Sequence, residues 1–113
     1  MLSVNGSSRI FLYLPPTDMR KSFRGLSALI QAHLGRPEDG AFYVFVNRRR
    51  THVKVLYFDG DGLAIWYKRL EQGQFRVPSG SESKMELDRR SLALLLEGVT
   101  PRRLNRRYSA AES

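Results

Sequence analysis

The hydrophobic positions of this chain alternate between two periods, and the changes of period mark its elements. From Phe42 to Leu70, FYVFVNRRRTHVKVLYFDGDGLAIWYKRL, the apolar and aromatic residues fall into runs of strand length separated by two polar turns. Phe42, Val44 and Val46 share one face, with Tyr43 and Phe45 on the other. Val53, Val55 and Tyr57 alternate with Lys54, Leu56 and Phe58, and Leu63, Ile65 and Tyr67 alternate with Ala64, Trp66 and Lys68. Because successive side chains of a strand point to opposite faces, these runs predict three strands with apolar area on both faces, to be covered by helices. The turns differ in chemistry. Asp59-Gly60-Asp61-Gly62 supplies the positive φ of a tight hairpin, whereas Asn47-Arg48-Arg49-Arg50 places three guanidiniums at a hairpin tip.

Elsewhere the period lengthens. Arg9 to Leu14 reads as a first strand, stopped by Pro15-Pro16, and Thr17 or Asp18 is expected to cap a helix whose stripe is Met19, Phe23, Leu26, Ile30 and Leu34, widened by Leu29. Arg20, Lys21 and Arg24 fall on its other side, Gly25 suggests a close neighbour, and Gly35 and Pro37 end it. Glu71-Gln72-Gly73 is a turn, Gln74 to Val77 suits a short strand stopped by Pro78, Ser79 to Lys84 is a polar loop, and Met85 to Leu87 is ambiguous. Asp88 caps a second helix with Leu92, Leu95, Leu96 and Val99 on one side, broadened by Leu94 and ended by Gly98 and Pro101. The expected fold is α+β: a small antiparallel β-meander of about four to five strands, covered by two helices. Residues 1–8 form a flexible lead, 9–100 a single domain, and 101–113 a basic, disordered tail.

Charge narrows the range of partners. The 19 Lys and Arg outnumber the 11 Asp and Glu, giving a formal net charge of +8 in 113 residues. Such an excess attracts polyanions through long-range fields and counterion release. Only Lys21, Lys54, Lys68 and Lys84 among those cations are lysines, and arginine favours planar, bidentate contacts to phosphates and base edges. The absence of cysteine excludes disulfides, thiol catalysis and Cys-based zinc sites. With no long apolar window and no signal-like start in MLSVNGSSRIFLYLPP, the expectation is a cytoplasmic protein that does not engage a membrane.

No catalytic constellation emerges. His33 and His52 lack metal-ligand spacing, there is no G-x-S-x-G elbow and no phosphate-binding G-x-x-x-x-G-K-[ST] loop, and Asp59 and Asp61 are explained as turn residues rather than Mg²⁺ ligands for a nuclease. The expectation is a non-enzyme without metal or cofactor. Nucleic-acid binding asks only for cations brought together by the fold. The candidate patch is Arg48, Arg49 and Arg50 at the hairpin tip, extended by Lys54, Lys68 and Arg69 and by the tail residues Arg102, Arg103, Arg106 and Arg107, with Arg20, Lys21 and Arg24 as secondary candidates.

The linked motifs T-D-M-R-K-S-F-R-G-L at 17–26, K-V-L at 54–56, D-G-D-G-L at 59–63, K-R-L-E-Q-G-Q-F at 68–75 and L-L-L-E-G-V at 94–99 resemble the TnpB accessory proteins of bacterial insertion-sequence family sixty-six, which are unrelated to the RNA-guided nuclease of the same name. The resemblance spans roughly Ile10 to Arg103. It implies a protein encoded beside a DDE-type transposase, needed for efficient movement of the element and itself lacking catalytic carboxylates. The expected function is therefore a transposition accessory role, with DNA at element ends or target and the transposase or other element-encoded proteins as partners. The alternative is an adaptor that docks on the transposase through an aromatic sheet face, with Trp66 and Tyr43 as anchors.

Overall fold

The computed structural model describes residues 2–4 and 6–99. Five strands and two helices follow in the order β1 (Ile10–Tyr13), α1 (Phe23–His33), β2 (Phe42–Val46), β3 (His52–Phe58), β4 (Leu63–Arg69), β5 (Lys84–Leu87) and α2 (Arg89–Glu97). They build one sheet in the spatial order β4-β3-β2-β1-β5, an α+β architecture in which every neighbouring pair is antiparallel except β1 and β2. That pair is parallel, because the chain crosses over through α1 between them. The meander proper is β2-β3-β4.

Strand alternation divides the core in two. On one face Ile10, Leu12, Phe42, Val44, Val46, Val53 and Val55 pack with Leu92 and Leu95 of α2 and with Phe75; on the other Phe11, Tyr13, Tyr43, Phe45 and Leu56 pack with Leu26, Ile30 and Leu34 from α1 and its end. The two helices therefore cover opposite faces. Each fully buried large side chain, such as Phe45 or Leu56, contributes on the order of 1.5–3 kcal/mol by leaving water. The connection from α1 to β2 closes around Tyr43. Its hydroxyl lies 2.7 Å from an Asp39 carboxylate oxygen and 3.2 Å from the Arg36 carbonyl, and a Cβ at Gly35 would stand 2.6 Å from that hydroxyl. Burial, and then the Asp39 carboxylate, push the Tyr43 phenol well above its ordinary range.

Several expectations are corrected here. The first helix begins at Phe23 after Ser22, not at Thr17 or Asp18, since residues 17–22 form a loop in which Thr17 N donates to the Val46 carbonyl and Asp18 holds Arg20. Phe23 is exposed, and Gly25 makes room for the Lys21 side chain from the preceding turn. Gln74 to Val77 forms no strand, only a single antiparallel bridge from Gln74 to Val99, while the ambiguous Met85 to Leu87 lies within edge strand β5 on β1. In α2 the Asp88 side chain accepts from Ser91 N at 2.7 Å, as an N-cap should, but Leu94 faces solvent. The tail from residue 101 lies outside the described residues.

Candidate nucleic-acid interface

The β2–β3 turn is organised by one side chain. Asn47 Oδ1 accepts from Thr51 N at 2.8 Å and from His52 N at 2.9 Å, while its backbone N–H donates to the His52 carbonyl and its own carbonyl accepts from Arg50 N. Asparagine suits this position because a short amide can satisfy neighbouring backbone donors. Arg50 completes the turn with φ of 61°, a left-handed conformation that an L-residue adopts only when its surroundings hold it there. The surroundings do so. Phe75 N donates to the Arg50 carbonyl at 2.7 Å, Gln74 Nε2 to the Arg49 carbonyl at 2.9 Å, and Leu70 N to the Thr51 carbonyl at 2.9 Å.

On this braced turn Arg48, Arg49 and Arg50 are exposed, and among the described residues none of the three is in an ion pair. Arg48 and Arg49 border an open cleft of about 500 Å³, whose other walls are Pro16, Thr17, Asp18, Met19, Asn47, His52 and Tyr67. Arg69 of β4 lies across from His52 in the antiparallel register and on the same face as Tyr67, although its guanidinium also reaches Glu71 at 3.0 Å.

The remaining candidates are placed differently. Lys54 is only 7% exposed, and its ammonium donates to the carbonyls of Met19 at 2.9 Å and Lys21 at 2.7 Å. It is a fixed strut under the loop before α1 rather than part of an exposed patch. Lys68, one residue from Arg69, points to the opposite face and donates to the Leu96 carbonyl at the end of α2. Arg20 forms a bidentate pair with Asp18, whose carboxyl is drawn down to about 2 chiefly by the side-chain hydrogen bonds from Arg20. Lys21, in the loop before α1, and Arg24, in its first turn, are exposed. Arg102, Arg103, Arg106 and Arg107 lie outside the described residues.

Two features escaped the sequence reading. Gln74 sits 25 positions from the carbonyl it supports, a distance no local pattern spans. Tyr67 and His52 are brought to the cleft by the β3–β4 register, which pairs Lys54 with Tyr67 and His52 with Arg69. Counting outward from the Asp-Gly turn would have shown that Tyr67 shares a face with His52, but not that it is exposed. Of the proposed docking anchors, Tyr43 is fully buried and cannot reach a partner. Trp66 is half-buried beside an apolar cleft of about 350 Å³, lined with Leu92 and Leu96 of α2. Asp59 and Asp61 lie on the exposed β3–β4 turn, where Gly60 takes φ of 70°; among the described residues no cluster of three His, Asp or Glu is placed to hold a metal ion.

The structure is a small α+β module with three exposed arginines, in no ion pair among the described residues, on a braced hairpin turn. The chain belongs to the family described as IS66 Orf2 like protein, which matches residues 8–106, and it is thereby a transposition-associated protein of insertion-sequence origin. It is 33% identical over 100 residues to the uncharacterized protein y4hO of Sinorhizobium fredii, covering 88% of this chain and 87% of that protein. It is 30% identical over 108 residues to the uncharacterized protein y4jC of the same organism, covering 95% and 92%. No solved structure matches the chain. Among the described residues no helix is long and apolar enough to cross a membrane.

Proposed function

We propose that this accessory protein binds DNA, at the ends of its element or at the target, through the arginine turn, and performs no strand chemistry of its own. The observation that carries this reading is the set of three consecutive guanidiniums, exposed and without ion-pair partners among the described residues, on a backbone held by Asn47, Gln74 and Phe75. Leaving cations unpaired on a fixed turn favours an external anion. A two-stranded hairpin also fits the major groove of a duplex.

The end of the described chain lies beside the same turn. Val99 exchanges both backbone hydrogen bonds with Gln74, the residue whose side chain holds the Arg49 carbonyl. Arg69 extends the surface along β4, whereas Lys54 and Lys68 are spent on internal carbonyls.

A fluorescence-anisotropy salt series tests the reading, with terminal inverted-repeat DNA and a scrambled duplex as probes. If six to eight cations contact phosphates, affinity falls by roughly 10³ or more between 50 and 200 mM salt. No binding to either duplex at low salt refutes it.

The second reading, an adaptor for the partner transposase, is favoured by the apolar cleft between Trp66 and α2. Co-purification with the transposase that disappears on Trp66→Ala would support it.

A further inference from the structure

We infer that the cleft between the arginine turn and the loop before α1 receives one unstacked nucleotide of a DNA strand, its phosphate on Arg48 and Arg49 and its base against Tyr67. This rests on the DNA-binding reading and adds to it a preference for strand ends or unpaired positions over continuous duplex.

The cleft has the size and lining for that ligand. At about 500 Å³ it falls within the range of small-molecule sites, roughly 300–1,000 Å³. One wall carries unpaired guanidiniums. Another carries Tyr67, an aromatic residue that is 52% exposed although its neighbours Ile65 and Leu56 pack in the core. Cations that track a phosphate backbone beside an aromatic platform are the combination that single-stranded DNA sites use.

The platform is held in place. Lys54 Nζ lies 4.7 Å from the centroid of the Tyr67 ring, and the same ammonium is fixed by the Met19 and Lys21 carbonyls. One lysine thus ties the aromatic ring to the loop that forms the opposite wall. The His52 ring stands 6.0 Å from Tyr67, tilted by 41°.

Hydrogen bonding sets which nitrogen of His52 is free. Asn47 Oδ1 accepts two backbone N–H groups, so its amide nitrogen is the atom that donates to Thr51 Oγ1 at 3.1 Å. That amide nitrogen also lies 3.3 Å from His52 Nδ1 and can only donate, so Nδ1 is the acceptor, the Thr51 hydroxyl 2.8 Å away points its proton there too, and Nε2 carries the ring N–H. Asp18 in the facing wall does not oppose an anion, because Arg20 neutralises it through a contact of 2.7 Å. In the same wall the buried Thr17 hydroxyl has no hydrogen-bond partner among the described residues.

A base within a duplex has both faces covered by its neighbours, so only a nucleotide taken out of the stack can lie against Tyr67. A strand is favoured over a free nucleotide because Arg50, next in the turn, is exposed but not part of the cleft lining, which leaves a further guanidinium for a phosphate beyond the bound nucleotide.

The test uses the full chain in fluorescence anisotropy at one salt concentration, comparing a blunt duplex with the same duplex bearing a three-nucleotide overhang, and with dAMP as competitor. The overhang is expected to bind about tenfold tighter than the blunt end, a typical effect of stacking one base. Tyr67→Leu brings the overhang-to-blunt affinity ratio down to about one, and Tyr67→Phe retains the roughly tenfold preference. Photocrosslinking from 5-iododeoxyuridine in the overhang maps to Tyr67. Equal binding of blunt and overhang DNA overturns the nucleotide site and leaves the DNA-binding reading standing. Absence of binding to both overturns both, and competition by micromolar dAMP overturns the assignment to a strand.

Discussion

The side-chain amide of Gln74 donates a 2.9 Å hydrogen bond to the carbonyl oxygen of Arg49, so the tip of one hairpin is supported by a residue 25 positions further along the chain. Gln74 in turn exchanges backbone hydrogen bonds with Val99 just after α2. The arginine turn is therefore coupled to the C-terminal end of the described fold. Gln74→Ala removes the side-chain bond and leaves the Phe75 N to Arg50 carbonyl bond in place. Stability is expected to fall by about 1 kcal/mol in urea denaturation, and DNA affinity to fall with it as the turn loosens.

Asn47 carries more of the turn than any arginine does. Asn47→Ala leaves the Thr51 and His52 amides without their acceptor, which is expected to cost about 2 kcal/mol. Faster amide hydrogen exchange at Thr51 and His52 is the local readout. Unchanged exchange there would contradict the role assigned to Asn47.

The arginine side chains and the turn backbone can be separated at Arg50. Arg50→Gly relieves a left-handed L-residue and is expected to raise stability by about 1 kcal/mol while removing one cation. The triple change of Arg48, Arg49 and Arg50 to Ala is expected to reduce the slope of log affinity against log salt by about three, one for each phosphate deprived of its guanidinium.

Lys54 distinguishes a structural cation from a binding one. Lys54→Met leaves the Met19 and Lys21 carbonyls without their donor and removes the ammonium from the Tyr67 ring. The expected loss is about 3 kcal/mol of stability, with the salt slope for blunt-duplex binding unchanged at temperatures where the variant remains folded. A reduced slope would return Lys54 to the set of phosphate-binding cations.

Asp18 supplies a pH signature. Its folded value lies near 2, below the ordinary 3.8, so the carboxylate binds its proton less readily in the folded state than in the unfolded chain. Its contribution to stability is present above about pH 4 and is lost as the pH falls through about 2. Because the pair is exposed and open to salt screening, the effect is small; the sharper measurement is the Asp18 side-chain titration by NMR, which moves up toward the ordinary value in Arg20→Ala.

The strands β2 to β4, the Asp-Gly turn and the capped start of α2 follow from residue order alone, because alternation, positive-φ glycine and an Asp cap act over a few residues. The arginine turn was legible for the same reason: three like residues at a hairpin tip stand out by their chemistry. Tertiary structure decided what those local rules do not reach. Thr17 N was drawn to the Val46 carbonyl, and α1 starts at Phe23 although Thr17 and Asp18 are good caps. Crossover through α1 made β1 and β2 parallel, and residues 84–87 became a strand because β1 offered an edge. The candidate site was divided in the same way. Adjacent Lys68 and Arg69 point to opposite faces, and Lys54 found two carbonyls in a loop 33 and 35 residues before it. A cation's charge is written in the sequence, but whether it meets solvent or a carbonyl depends on which distant backbone the fold brings beside it.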